Sequence, residues 1–234
     1  MKPVSKRSGE RNDQMEIELK YAASKDQGKK ILDELSERYD AEIREIPMRA
    51  VYYDTEDLSL WDKRLAYRIR QEGEEYVLTV KYGKGSDKAK AGLHRRGEIN
   101  IPVFSDFIEK PGIDVLDDTP IYKEIDKAVG GQYSDDLGIM LPRKPLIPRM
   151  EMVFLRKEIT IPLNEDGTSI GVLSYDEGEI LAGGRSAAIS EVEIELSEGN
   201  EEDLKAFGID LASKNGLEPL NKSKYARGLK LLDA

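Results

Sequence analysis

Glu16-Ile17-Glu18-Leu19-Lys20 and Glu191-Val192-Glu193-Ile194-Glu195-Leu196 alternate an ionised side chain with an aliphatic one at every step. A period of two belongs to an extended strand, whose successive side chains point to opposite faces. Each segment therefore has one charged face and one apolar face. The same division holds for Arg68 with Arg70, for Thr79 with Lys81 (against Leu78 and Val80), and for Arg96 with Glu98. An apolar strand face must be covered, and helices are the natural cover. The charged faces then meet one another. A solvated sheet surface explains one such face, but a solvent face would mix signs instead of placing three carboxylates in adjacent same-face positions. Carboxylates concentrated on some strands and guanidinium groups on others make sense as the lining of one wet cavity. The acids would hold a hard cation and the cations phosphate oxygens. A metal–triphosphate complex fits such a lining, and spacing alone leaves the number of phosphates open.

The remaining pattern predicts strands at about 15–21, 44–54, 65–71, 76–82, 93–103, 149–162, 169–175 and 188–197. Gly73 supplies the turn of a hairpin around 72–75. Ile31, Leu32, Leu35 and Tyr39 fall at helical spacing and predict a helix over 26–39, and 58–63 reads as a helical turn. Thr119-Pro120 predicts the cap and first turn of a helix over 119–129, stopped by Gly130-Gly131. Asn200, followed by Glu201, Glu202 and Asp203, starts a helix that ends at 214–216. A last short helix is expected over 223–232. About eight strands with helices outside give an α+β fold, a closed eight-stranded antiparallel β-barrel with peripheral helices. A single domain is expected over 15–234, after a disordered polar tail at 1–14 and with a helical insertion at about 104–141. Residues 83–92 (GKGSDKAKAG) read as a mobile loop.

Composition narrows the chemistry. The chain has no cysteine and one histidine, His94, which reads as structural. A metal here must sit on oxygen ligands, which favours magnesium, manganese or calcium over zinc. The net charge of −10 argues against general nucleic-acid binding. No apolar run is long enough to span a bilayer and the N-terminus lacks the apolar core of a secretory signal, so a cytoplasmic location is expected.

The run Glu16–Lys20 resembles the ExExK signature of the CYTH superfamily, the triphosphate tunnel metalloenzymes. The likeness continues in order through YYDTEDLSLWDKRLAYRIRQEGEEYVLTVK (52–81), GLHRRGEIN (92–100), VFLRKEI (153–159), YDEGEI (175–180), SEVEIEL (190–196) and SKYARG (223–228). The resemblance implies an eight-stranded tunnel that takes a small-molecule triphosphate or polyphosphate with Mg2+ or Mn2+; from charge and hydropathy, no nucleic-acid or membrane partner is expected. By position Glu16, Glu18, Glu191 and Glu193 would be metal ligands. Lys20, Arg68, Arg70, Lys81, Arg96, Arg156 and Lys224 would grip phosphate oxygens. Glu16, Glu18, Lys20, Glu98 and Asp176 would form the catalytic set. Glu195 would lie nearer the rim, and Arg227 reads as a helix-surface residue. Hydrolysis of inorganic triphosphate to diphosphate and phosphate is the leading expectation. A class IV adenylate cyclase, a thiamine or nucleoside triphosphatase, and a polyphosphate-binding module without turnover remain as alternatives.

Overall fold

The computed structural model describes residues 12–83, 92–130 and 143–233, with side chains described from Met15 to Leu232. The tail expected at 1–14 falls outside the described residues as far as 11. Residues 84–91 of the expected loop and 131–142 of the expected insertion also lie outside them.

Eight long strands run in chain order: β1 (Asn12–Ala22), β2 (Arg44–Asp54), β3 (Ala66–Glu72), β4 (Glu75–Tyr82), β5 (Leu93–Val103), β6 (Ile147–Pro162), β7 (Ile170–Ala182) and β8 (Arg185–Glu198). They pair in the order β5-β4-β3-β2-β6-β7-β8-β1, every pair antiparallel, and β1 pairs again with β5 to close the ring. A two-residue strand, β9 (Glu218–Pro219), extends the β5 side of β1.

Register decides which faces meet, because directly opposed residues share a side of the sheet. Glu16 stands opposite Arg96, Glu98 opposite Lys81, and Thr79 opposite Arg68. Around the other half, Arg156 opposes Asp176, Asp176 opposes Glu191, and Glu193 opposes Lys20. The charged faces thus meet on one inner surface that runs from β3 through β4, β5, β1, β8 and β7 to β6.

The outward apolar faces are covered in two places. Helices α1 (Lys25–Tyr39) and α4 (Glu201–Asn215) pack Ile31, Leu32, Leu204 and Leu211 against Leu19, Leu173, Val192 and Ile194. Close approach is possible because a Cβ on Gly28 would lie 2.4 Å from the Tyr175 ring, and one on Gly208 would lie 2.3 Å from Leu19. On the opposite side, α3 (Tyr122–Ala128) and its preceding turns lay Leu116, Ile121 and Ile125 over Tyr67, Ile69, Leu78 and Val80. The short helix α2 (Ser59–Asp62) precedes β3.

The bore is not wet throughout. Met48, Ala50, Tyr52, Met150, Met152, Phe154 and Ile180 form an apolar layer inside it, joined by Tyr225 and Leu229 of α5 (Lys224–Asp233). Helix α5 therefore packs against the inner face of the barrel, consistent with the expected reach of Lys224 from the C-terminal helix. Two boundaries differ. Strand β7 runs on to Ala182 because Gly183 and Gly184, both at positive φ, make the tight hairpin turn to β8. Helix α3 begins at Tyr122 after Ile121, with no side-chain cap, so Thr119 is not its N-cap. The Asn200 cap is as expected: its side chain accepts from the Asp203 N–H at 3.0 Å, and Gly216 at φ 62° ends α4.

Candidate active site

A group of deeply buried charges lies where β7, β8 and α5 meet. Asp176 and Glu191 are both 0% exposed, and Glu193 and Lys224 are buried beside them. One carboxylate oxygen from each of Asp176, Glu191 and Glu193 lies within 4.8 Å of the other two. Four cations offset them. Arg156 forks onto Asp176 at 2.8 and 2.7 Å and reaches Glu193 at 2.9 Å. Lys20 links Glu193 to Glu18, the latter at 2.9 Å. Lys224 enters from α5 and touches all three carboxylates, and Arg227, one turn later, holds the second oxygen of Glu191.

A second group lies further along the bore. Lys81 donates to both oxygens of Glu16 at 2.6 Å and stands 2.9 Å from Glu98. Arg68 donates to Thr79 at 3.2 Å and lies over the Tyr52 ring, while Arg70 pairs with Glu72. The Nε atoms of Arg68 and Arg70 are buried with no hydrogen-bond partner. A buried unpaired donor costs free energy unless a ligand satisfies it. Arg96, half-buried, lines a cavity of about 260 Å³ with Trp61, Ala66 and Tyr225, beside α5 at one mouth of the bore. Glu195 is exposed and stands opposite Glu18 in the register.

Electrostatics sort these groups. Burial disfavours the charged forms of Glu193 and Asp176, yet Lys20, Lys224 and Arg156 for the first, and Arg156 and Lys224 for the second, outweigh it and hold both carboxyls below their usual range. For Glu98, Lys81 and Arg68 do the same. Glu16 differs: burial, helped by Glu18, pushes it up. Arg70 is lowered by burial and by Arg68, with Glu72 offsetting only part.

The sign of the pH effect follows. Glu98, Asp176 and Glu193 bind protons less readily folded than unfolded, so their contribution is complete above the ordinary carboxyl range and lost as pH falls below it. Glu16, raised, works the other way. With three lowered groups against it, melting temperatures in metal-free buffer should fall as pH drops below about 4.5. A melt series across that range checks this.

The donors suit a hard divalent ion. They are buried carboxylate oxygens on rigid strands, and no thiol or imidazole is among them. The convergent trio is Asp176, Glu191 and Glu193 among the described residues, whereas the sequence had suggested Glu16 and Glu18 with Glu191 and Glu193. Glu18 reaches the trio only through Lys20, and Glu16 is engaged by Lys81. Sequence reasoning also passed over Arg227. Its three-residue offset from Lys224, which was already expected at the site, puts both on one helix face and was the signal that could have found it. Tyr225 fixes that entry. It stacks on Tyr52 at 4.7 Å, meets Trp61 edge-on at 5.3 Å, and donates its hydroxyl to Asp54 at 3.3 Å.

A closed eight-stranded antiparallel barrel with an ionised bore is the architecture of the triphosphate tunnel class. The chain matches the CYTH domain over residues 14–229 and belongs to that family. It is 33% identical over 213 residues to the inorganic triphosphatase of Haemophilus influenzae, an alignment covering 91% of this chain and 54% of the relative. The chain thus spans about half the length of that curated relative. Among solved structures, a Hippeastrum adenylyl cyclase candidate with a dominant triphosphatase activity superposes with a TM-score of 0.63 at 20% identity, covering 93% of this chain and 96% of that one. An adenylate cyclase candidate from Bacillus halodurans gives 0.57 at 21% identity, over 92% and 97% of the two chains. The Mimivirus capping enzyme triphosphatase gives 0.50 at 10% identity, over 86% and 90%. These likenesses establish the shared fold.

Proposed function

We propose that this chain hydrolyses a triphosphate, with inorganic triphosphate yielding diphosphate and phosphate as the leading reaction, in the presence of Mg2+ or Mn2+. The observation that carries the reading is the pairing, in one bore, of a buried carboxylate trio with buried arginine N–H groups that lack partners. The relative from Haemophilus influenzae, named for the same reaction, supports it.

Asp176, Glu191 and Glu193 would hold the ion, with Glu18 and Glu16 next in reach along β1. A bound divalent ion would supply charge neutralisation and alignment of the phosphoryl group. The protein's own part is electrostatic. Arg68 and Arg70 offer donors to phosphate oxygens without first breaking internal hydrogen bonds at Nε. Lys81, Arg96 and Arg156 add positive charge around the same bore. Fixed donors that need no reorganisation stabilise the charge moving onto the leaving diphosphate.

The test is a panel of inorganic triphosphate, ATP and thiamine triphosphate, with products separated. Inorganic triphosphate should be cleaved fastest, activity should vanish with a chelator, and either Mg2+ or Mn2+ should restore it. Cyclic AMP as the main product from ATP, with triphosphate inert, would replace this reading with a cyclase. Full activity in chelator would remove the metal from it.

A further inference from the structure

Lys224 Nζ lies 2.8 Å from Asp176 Oδ2 and 2.8 Å from Glu193 Oε1, and closer still to Glu191 Oε1. These are the same three carboxylates whose oxygens converge within 4.8 Å. An ammonium surrounded by three carboxylate oxygens occupies the place that a hard divalent ion takes among such ligands.

Other cations of the cluster are arranged differently. Arg156 is committed to Asp176 by a two-pronged fork. Lys20 spans Glu18 and Glu193. Arg227 approaches Glu191 from its other oxygen, Oε2. Among the described residues, only Lys224 touches all three members of the trio.

We propose that Lys224 is the resident counter-cation of the metal site, and that a divalent ion and its ammonium compete for the same three oxygens. This rests on the metal reading above and adds to it an exchange. When the ion enters, the ammonium gives way and becomes available to a triphosphate oxygen.

Two features make the exchange feasible without moving the helix. Lysine carries its charge on a flexible four-carbon stem, so the head can swing while the backbone stays. The backbone itself is pinned, because the next residue, Tyr225, is stacked on Tyr52 and hydrogen-bonded to Asp54. Arg227, by keeping Glu191 Oε2, leaves Oε1 turned toward the trio for whichever cation occupies it. Without an ion, Lys224 shares with Lys20, Arg156 and Arg227 the task of compensating a carboxylate trio with no exposure at two of its members, since uncompensated buried charge is strongly disfavoured.

The test is calorimetric titration of Mn2+ alone, without any triphosphate, into the full chain. Lys224→Met removes the competitor, so its Mn2+ affinity should rise at least about tenfold over wild type, as competition for one site requires. In chelator its melting temperature should fall below wild type, and Mn2+ should restore more of it than wild type gains. Glu193→Gln serves as the control for the metal reading and should lose Mn2+ binding.

If Lys224→Met binds Mn2+ no more tightly than wild type while Glu193→Gln loses binding, the exchange is overturned and the metal site stands. If neither wild type nor Lys224→Met binds Mn2+, both ideas fall. Should Lys224→Met not fold in chelator, folding on addition of Mn2+ supports the exchange. Lys224→Gln, neutral and polar, is then titrated in its place under the same criterion.

Discussion

Glu193→Ala should destabilise the metal-free protein by about 3–5 kcal/mol, the usual cost of removing one partner from a buried ionic group. Glu193 is the point on which three cations converge: Lys20, Arg156 and Lys224 all lie within ion-pair distance of it. Removing it leaves buried positive charges facing one another, with Asp176 and Glu191 still paired to some of them. Chemical denaturation at neutral pH measures the loss. The denaturant slope should stay close to that of wild type, because the surface exposed on unfolding hardly changes. A loss of less than about 1 kcal/mol would mean that the cluster is solvated and behaves as a surface network.

Arg70→Ala should give the opposite profile. We expect kcat/KM for inorganic triphosphate to fall by about 10²–10³, the scale found when one preorganised electrostatic donor is removed. Stability should hold or rise, since Arg70 is buried with an unpartnered Nε and lies near the like charge of Arg68. Cost to stability and gain to function at one residue is the expected trade at a binding site. Steady-state kinetics with a thermal melt on the same preparation decides it. Unchanged turnover would take Arg70 out of the phosphate grip, and a large drop in melting temperature would make its role structural.

These two residues also mark what could and could not be read from the chain. Strands with one charged and one apolar face announced their orientation, because a period of two leaves no choice of side. Glu16, Glu18, Lys20, Arg68, Arg70, Lys81, Arg96, Glu98, Arg156, Asp176, Glu191 and Glu193 all sit on the inner face for that reason. The apolar half of the bore gave no such signal. In β2, inward Ala50 and Tyr52 alternate with outward Val51 and Tyr53, so neither side is polar and the pattern is silent. Helix α5 fills that half with Tyr225 and Leu229. The strand expected at 169–175 stopped short of the second half of β7, where Asp176, Glu177 and Gly178 are poor strand formers although the turn comes only at Gly183 and Gly184. The carboxylate trio needs residues from two strands in register with a lysine from a helix, and that is a property of tertiary pairing.

The way the ring closes bears on how the chain reaches this state. Strands β2 to β5 pair with sequence neighbours, and so do β6 to β8, but β1 must find both β5 and β8. Lys20 and Glu193, which meet across the last seam, are 173 residues apart. Contacts of such separation form late, and a strand that waits for its partner is an open edge meanwhile. During that wait β1 presents Glu16, Glu18 and Lys20 along one side, and charges in that position discourage pairing with the wrong strand or the wrong molecule. The ionised lining therefore protects the unfinished barrel from aggregation before it has any cavity to line.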